Sequence, residues 1–312
     1  MTRAPLDRRA LGRALTALAN ASAADLLHRD SATPPPVPAR RIGITGAPGA
    51  GKSTLTGHLA LERARDRRIG VLAVDPSSPR SGGAILGDRI RIDELPDSAD
   101  LYVRSIGARS TSDGLSDNLP EMLELMDEHG FDEVFLETVG VGQAEFAARV
   151  QVDTLVLVLL PDSGDAVQAM KAGIMEMADL FVVNKADLPG AQRAATDIQR
   201  VAALGRRAPG AWTPPVLLVS AHRPETVSVL SQAIDRHQRW LEQAGGREAL
   251  HLERARYRLR RVIERRVAEA VNSLAPAQLA TPLARQVEAV LQAVTEFPSP
   301  RTSQETPPCS GK

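Results

Sequence analysis

The sequence has almost no cysteine, since Cys309 is the only one in 312 residues. One cysteine cannot close a disulfide within the chain or build a metal site from several thiolates. The six histidines are scattered, with no H-x-H or H-x-x-x-H pair among them. A site made of clustered cysteine and histidine ligands is therefore not expected. A reducing cytoplasm is the compartment that fits best.

The chain also lacks any excess of charge, because 38 basic residues balance 38 acidic ones. Bulk charge thus gives no support for a nucleic acid or a membrane surface as partner. No run approaches the ~20 apolar residues of a membrane span. The start, MTRAPLDRRA, lacks the apolar core of a signal peptide. We expect neither nucleic acid nor membrane as a partner.

Lysine is scarce: Lys52, Lys171, Lys185 and Lys312 are the only four, and every other basic residue is arginine. The compact ammonium group is not equivalent to the planar guanidinium fork. Lysines that persist in such a chain therefore mark positions of interest. Lys52 and Lys185 lie in motifs described below. Lys171 is a third candidate, with an ordinary surface lysine as the alternative.

The stretch GAPGAGKS at 46–53 follows a short apolar run and precedes a helical pattern. Strand, glycine-rich loop and helix form the context in which G-x-x-x-x-G-K-[ST] cradles phosphates. We expect Lys52 to reach the β- and γ-phosphates and Ser53 to bind Mg²⁺. The predicted phosphate-binding residues are Gly46, Ala47, Pro48, Gly49, Ala50, Gly51, Lys52, Ser53 and Thr54.

From residue 40 the pattern alternates between strands and helices, which predicts an α/β fold with a mostly parallel, doubly wound sheet. A helix over 115–130 would place Leu115, Leu119, Met122, Leu123 and Met126 on one face. Ligands of such sheets bind at the carboxyl ends of the strands. The candidate strands are 41–45, 69–75, 101–105, 133–138, 154–161, 180–185 and 216–221.

Composition divides the chain into four parts. Residues 1–38 form a helical extension, with Leu11, Leu15, Leu18 and Leu26 at helical spacing, and a proline-rich connector. Residues 39–240 form the P-loop domain, 241–296 a C-terminal helical segment, and 297–312 a polar tail expected to be disordered. A long helix is predicted over 247–274 and a shorter one over 282–294. The long helix carries a stripe of Leu259, Val262, Ile263, Val267, Ala270, Val271 and Leu274. Glutamates interspersed among its arginines favour a solvated face over a nucleic-acid surface.

The motif NKAD at 184–187 ends a predicted strand. The carboxylate of Asp187 suits the ring N–H and exocyclic amine of guanine, a pairing that adenine cannot offer. Asn184 completes the motif, and the stem of Lys185 would cover the purine face. Ser220 and Ala221, after the last strand, match a second base-contacting loop. The chain is thus predicted to bind GTP.

Acidic residues follow several strands and are candidates for the Mg²⁺ site. Glu137 ends the run EVFLE, and the N–H of Gly140 could meet the γ-phosphate. Asp75 and Asp88 are further candidates for the metal, with a solvated loop acid as the alternative reading of each. Gln143 and Arg109 are candidates for assisting hydrolysis.

These residues together resemble a known family. The segments 74–91, 137–145 and 159–179, with NKAD, look like the P-loop GTPases of the MeaB/ArgK/MMAA type, chaperones of methylmalonyl-CoA mutase. The resemblance implies that Lys52, Ser53, Asp75, Asp88 and Glu137 bind Mg·GTP. It also implies that the loop containing Asp162, Gln168 and Lys171 is a switch coupling nucleotide to client.

The resemblance further implies a homodimer formed through C-terminal helices. The implied client is an adenosylcobalamin-dependent acyl-CoA mutase, methylmalonyl-CoA mutase by default, whose cofactor delivery and reactivation the GTPase would gate. A cobalamin adenosyltransferase is a further candidate partner.

Three alternatives stay open at this point. One is a nickel-insertion GTPase, which would need cysteine and histidine ligands. Another is a P-loop kinase of the ArgK transport type, against which the guanine motif argues. The third is a nucleotide-dependent scaffold with negligible hydrolysis.

Overall fold

A computed structural model describes residues 5–29, 37–76, 100–108, 115, 118–138, 143–161, 173–204, 208 and 210–296. Its strands are β1 (Arg40–Gly46), β2 (Ile69–Pro76), β3 (Leu101–Ala108), β4 (Glu133–Glu137), β5 (Thr154–Leu159), β6 (Leu180–Val183) and β7 (Val216–Leu218). Its helices within this part of the chain are α1 (Arg8–Asn20), α2 (Ala23–His28), α3 (Lys52–Arg63), α4 (Leu119–Glu128), α5 (Gln143–Gln151), α6 (Ala191–Leu204), α7 (Pro224–Gln243), α8 (Gly246–Ser273), α9 (Pro276–Leu279) and α10 (Leu283–Thr295), with a 3-10 turn at Ile174–Glu176.

The strands form one parallel sheet in the order β3-β2-β4-β1-β5-β6-β7. β1 lies at the centre, with Ile44 beside Glu137 of β4 and Val156 of β5. All seven predicted strands are confirmed, and so is the doubly wound α/β class. Because every strand runs the same way, the loops after β1, β4 and β6 meet at one edge.

The two faces of the sheet are covered by apolar side chains. Leu55 and Leu59 of α3 are fully buried on one face with Ile234 of α7. On the other face α4 buries Leu119, Met122, Leu123 and Met126, and Leu115 lies just before it. The predicted apolar stripe over 115–130 is thus confirmed, although the helix itself begins at Leu119.

The two N-terminal helices begin at side-chain caps. Asp7 accepts a hydrogen bond from the Ala10 amide at 2.8 Å. Ser22 and Asp25 form a reciprocal capping box at the start of α2. The four predicted leucines of this region are buried in the core beside α4: Leu11, Leu15, Leu18 and Leu26.

The long C-terminal helix α8 lies where it was expected, and its apolar stripe is divided between buried and exposed residues. Ala270 is buried, whereas Leu259 is 62% exposed and Ile263 is 49% exposed. The side of α8 that packs on the P-loop domain instead uses Tyr257 and Arg254. Most of the stripe therefore faces away from the domain, whereas Val262 packs against the core. The short helix α9 was not predicted, and α10 matches the expected second helix.

The prediction of a solvated arginine face on α8 was wrong in part. Arg254 is buried and donates to Asp153 at 2.7 Å. Arg258 donates to Glu121 of α4 at 3.0 Å, and Arg265 donates to the Ala21 carbonyl at 2.6 Å. These arginines attach the helix to acids and carbonyls of its own chain, and the buried Arg254 needs such a partner.

Within the described residues, no helix is both long and apolar enough to cross a membrane. The tail at 297–312 and most of the proline-rich connector lie outside the described residues. The division of the chain at residues 38, 240 and 296 stays a prediction.

Candidate nucleotide-binding site

The loop between β1 and α3 has the backbone of a phosphate cradle. Gly46, Gly49 and Gly51 have φ values of 141°, 78° and 82°, a region that favours glycine. At Gly46 a Cβ atom would lie 2.0 Å from the carbonyl oxygen of Val158 on the neighbouring strand β5. Gly46 therefore cannot be replaced without moving the loop away from the sheet. The sequence 46–53 adopts the strand, loop and helix arrangement that the motif predicts.

Lys52, the first residue of α3, is nearly buried at 8% exposure. Its Nζ donates to the carbonyl oxygens of Gly46 at 2.9 Å and Ala47 at 3.1 Å. The ammonium group is thus held across the loop that precedes it. Its charge lies beside the positive end of the α3 dipole, so both favour an anion there.

Ser53 and Glu137 meet at the carboxyl edge of the sheet. The Ser53 hydroxyl donates to Glu137 Oε1 at 2.6 Å, and both side chains come from different elements, α3 and β4. Hydroxyl and carboxylate oxygens are the hard ligands that Mg²⁺ prefers, and Mg²⁺ usually keeps several waters besides. Ser53 Oγ and Glu137 Oε1, which lie 2.6 Å apart, are therefore oxygens of the kind that fits Mg²⁺.

A pair of threonines supports this corner, and the sequence reading missed it. Thr138 Oγ1 donates to Thr45 Oγ1 at 2.9 Å, and the Thr138 amide donates to the Ile44 carbonyl at 3.1 Å. Both threonines are buried. The bonds extend the β1–β4 pairing beyond Glu137 and fix the direction in which the chain leaves β4. Thr138 directly follows Glu137, and that position was the available signal.

Several other predicted site residues cannot be placed by their side chains. Asp75 lies near the end of β2 at the same sheet edge, and Gln143 begins α5, but their side chains are outside the described residues. Gly140 and Asp88 lie outside the described residues altogether. The same holds for Arg109 and for the three predicted switch residues, Asp162, Gln168 and Lys171. Their roles stay predictions.

The NKAD motif is joined directly to the phosphate loop. Asn184 is buried and its Nδ2 donates to the Ala50 carbonyl at 2.7 Å. Lys185 has a φ of 54°, and its Nζ donates to the Gly49 carbonyl at 3.2 Å. At Gly51 a Cβ atom would lie 2.6 Å from Asn184 Nδ2. The base motif and the loop therefore form one structural unit.

Asp187 and Ser220 come together as the two predicted base-contacting loops require. Ser220 Oγ donates to Asp187 Oδ1 at 2.7 Å. This hydrogen bond is the main cause that lowers the pKa of Asp187 below its ordinary value. The Ala186 amide also donates to the Val219 carbonyl at 3.0 Å. The carboxylate is thus ionised at neutral pH and able to accept hydrogen bonds.

Thr226 holds the Ser220 loop in place and was not recognised in the sequence. Its Oγ1 accepts from the Ser220 amide at 3.0 Å and donates to the Arg223 carbonyl at 2.7 Å. The buried Oδ1 of Asn184 accepts no hydrogen bond from the described residues. The Oδ1 acceptor of Asn184 and the ionised carboxylate of Asp187, in the same motif, fit a nucleotide with a guanine base.

Comparison with known proteins shows the family of the chain. The family described as methylmalonyl-CoA mutase-associated GTPase MeaB matches residues 11–275. The chain belongs to this MeaB family. As a MeaB-family protein, it is a GTPase that hydrolyses GTP to GDP and phosphate.

Relatives and a solved structure extend the comparison. A Pyrococcus horikoshii protein named as a GTPase is 40% identical over 242 residues, covering 77% of this chain and 76% of that protein. The mouse protein named methylmalonic aciduria type A homolog, mitochondrial, is 41% identical over 194 residues, covering 60% of this chain and 46% of that protein. A crystal structure titled LAO/AO transport system kinase is similar with a TM-score of 0.66 at 25% identity, covering 92% of this chain and 94% of that one.

Proposed function

We propose that the protein is a Mg²⁺-dependent GTPase that acts as a chaperone for an adenosylcobalamin-dependent acyl-CoA mutase. The observation that carries the nucleotide chemistry is the direct attachment of Asn184 and Lys185 to the phosphate loop. One nucleotide can then contact Lys52 with its phosphates and Asp187 with its base. Family membership supports the mutase as partner, with methylmalonyl-CoA mutase as the default client.

In this proposal each residue has one role. Lys52 binds the β- and γ-phosphates, Ser53 and Glu137 hold Mg²⁺, and Asp187 accepts from guanine. Mg²⁺ neutralises charge on the phosphates when it is bound. Asp75 and Asp88 complete the water shell of the metal, Gly140 donates to the γ-phosphate, and Gln143 is the candidate for orienting water.

The phosphate-site proposal is tested by titration calorimetry with Mg·GTP. Lys52→Ala removes charge-assisted contacts worth about 1.5–3 kcal/mol, so affinity should fall more than tenfold. His58→Ala is the matched control, since His58 lies exposed on the same helix. Affinity close to wild type in Lys52→Ala would contradict the assignment.

Asp187→Asn should lose affinity for GTP and gain affinity for xanthosine triphosphate, because the new amide donates a hydrogen bond where xanthine accepts one.

The coupling to the client is assigned to the loop with Asp162, Gln168 and Lys171. Gln168→Ala and Lys171→Ala should leave GTP affinity nearly unchanged. They should lower client-stimulated hydrolysis and disturb cobalamin transfer, because switch residues affect coupling more than binding. The measurement is the ratio of stimulated to intrinsic turnover. A wild-type ratio in both variants would remove the loop from the proposal.

A homodimer through the C-terminal helices is part of the proposal. The outward side of α8 and α10 exposes Leu259, Ile263, Val271, Leu283, Val287 and Leu291, each at 44% or more. Arg266 holds the two helices together by donating to the Ala293 carbonyl at 2.6 Å. An apolar surface of this kind is typical of an interface between protein chains. Light scattering should report a dimer that Leu259→Asp converts to a monomer, with Arg260→Asp on the adjacent position as control.

The alternatives have less support. A kinase would use ATP, whereas Asp187 and Ser220 form the arrangement expected for guanine. A nickel site would need a ligand cluster, and the part of the chain that the structure describes contains no group of three or more histidine, cysteine, aspartate or glutamate side chains suited to a metal. A cobalamin adenosyltransferase as second partner and a cytoplasmic location stay proposals.

A further inference from the structure

Arg63 is the last residue of α3, and its guanidinium group is buried at 1% exposure. Nε and Nη2 donate to the two carboxylate oxygens of Glu133, each at 2.6 Å. Nη1 donates to the carbonyl and the hydroxyl of Ser231 at 3.1 and 2.7 Å. Nη2 also donates to Asp235 at 2.6 Å. These contacts use all five N–H donors of an arginine, which a lysine cannot reproduce.

Charge around this group is balanced. Glu133 is as deeply buried as Arg63, and it also accepts from Arg67 at 2.9 Å. Burial lowers the pKa of Arg63, but Glu133 and Asp235 raise it further, so the net shift is upward. The guanidinium group of Arg63 is therefore charged at neutral pH. Removing one alone would leave a buried charge without its partner, which is costly.

The partners of Arg63 lie at the far ends of the elements that carry the site. α3 begins with Lys52 and Ser53 and ends with Arg63. β4 begins with Glu133 and ends with Glu137. The ion pair of Arg63 with Glu133 thus joins the ends opposite to the Ser53–Glu137 contact. Helix α7 is the third element that contacts Arg63, through Ser231 and Asp235.

A small tilt of α3 about its last residue, Arg63, displaces Ser53 near its first residue. α3 has 12 residues and is about 18 Å long, so a tilt of about 3° at Arg63 moves Ser53 by about 1 Å. When a mutation far from the chemistry misplaces a group at the site by about 1 Å, the rate can fall about 100-fold. The phosphate loop itself is held separately, by Val158 next to Gly46 and by Asn184.

We propose that Arg63 is a positioning residue for GTP hydrolysis, which sets the spacing of Ser53 and Glu137 from the opposite ends of α3 and β4. The inference rests on the proposed function, in which those two residues hold Mg²⁺. It predicts a loss in kcat and a weaker response to Mg²⁺. The KM for GTP should change less than kcat, because the phosphate loop keeps its own supports at Gly46 and Asn184 while Lys52 moves with the start of α3.

The test separates positioning from stability. Arg63→Met should lower both stability and kcat, since it leaves the buried Glu133 without the contacts that Arg63 donates. The double variant Arg63→Met/Glu133→Leu removes both charges and leaves Arg67 beside Asp235, so its urea midpoint should return towards wild type. Its kcat should stay at least about tenfold below wild type, and its half-saturating Mg²⁺ concentration should rise several-fold. Its KM for GTP should stay within about threefold.

Controls make the outcome decisive. Arg254→Met breaks a similarly buried pair, with Asp153, that lies outside α3 and β4, and should keep the wild-type kcat and Mg²⁺ dependence. Arg63→Lys keeps the charge, so it should fold even if the double variant does not, and should show the same low kcat. Wild-type kcat and Mg²⁺ dependence in a folded double variant, or in Arg63→Lys, would overturn the inference. If wild-type turnover did not depend on Mg²⁺, the proposed function would fail instead.

Discussion

Replacing Gly51 by alanine should destabilise the protein through two separate effects. Gly51 has a φ of 82°, and an alanine held in this left-handed region costs about 1–2 kcal/mol. The new Cβ would also lie 2.6 Å from Asn184 Nδ2. Moving Asn184 breaks its buried hydrogen bond to Ala50, which costs about 1–3 kcal/mol. The free energy of unfolding should therefore fall by about 2–5 kcal/mol.

Two neighbouring glycines allow the effects to be separated. Gly49 has a φ of 78° with open space around its Cβ position, so Gly49→Ala should lose only the backbone cost of about 1–2 kcal/mol. Gly57 lies within α3, also in open space, and Gly57→Ala should gain up to about 1 kcal/mol. Urea unfolding should rank the variants as Gly57→Ala, wild type, Gly49→Ala and Gly51→Ala, from most to least stable.

A double-mutant cycle completes the test. In an Asn184→Ala background the steric part of the Gly51→Ala cost should disappear, leaving the backbone part alone. The reasoning is refuted if Gly51→Ala and Gly49→Ala prove equally stable, or if the cost of Gly51→Ala is the same in both backgrounds. In either case Asn184 would not restrict the loop.

Two further predictions concern the charges of the site and of the core. Burial lowers the pKa of His237 below its ordinary 6.5, so the unfolded chain takes up a proton that the folded protein does not. Stability should thus fall as pH drops below about 6.5, and His237→Phe should flatten this slope in urea unfolding between pH 8 and 5.5; an unchanged slope would contradict it. Ser220→Ala removes the hydrogen bond that orients Asp187, so the preference for GTP over inosine triphosphate, which lacks the exocyclic amine, should fall several-fold; equal preference in variant and wild type would assign the orientation to another group.

The parts of the molecule that follow local rules could be predicted from the sequence. Strands buried on both faces have nearly continuous apolar sequences, and β5 (TLVLVL) shows that pattern in full burial. The glycines of the phosphate loop have positive φ, as the motif requires. A helical pattern was also predicted directly after the motif, and α3 confirms the helix, although it begins two residues earlier, at Lys52.

Contacts between distant segments could not be predicted in the same way. The period of α8 indicated an apolar stripe but not which neighbour covers it, and a helix can pack on its domain through Arg254 as well as through leucines. Thr138 and Thr226 act through bonds to residues that only the fold brings near. Arg63 looked like one more arginine in an arginine-rich chain, because its acid partners lie 70 and 172 positions away.

The attachment of Asn184 to Ala50 makes the four positions of NKAD unequal as targets for engineering. Asp187 is held by Ser220, which lies outside the phosphate loop. Replacing Asp187 can therefore alter the choice of base while the phosphate loop keeps its contacts. Asn184 is hydrogen-bonded to the phosphate loop itself, so its replacement would lower the affinity for every nucleoside triphosphate alike. The choice of base can therefore evolve at Asp187, the last position of the motif, without loss of phosphate binding. Asn184, the first position, is constrained because it contributes to the motif and to the phosphate loop.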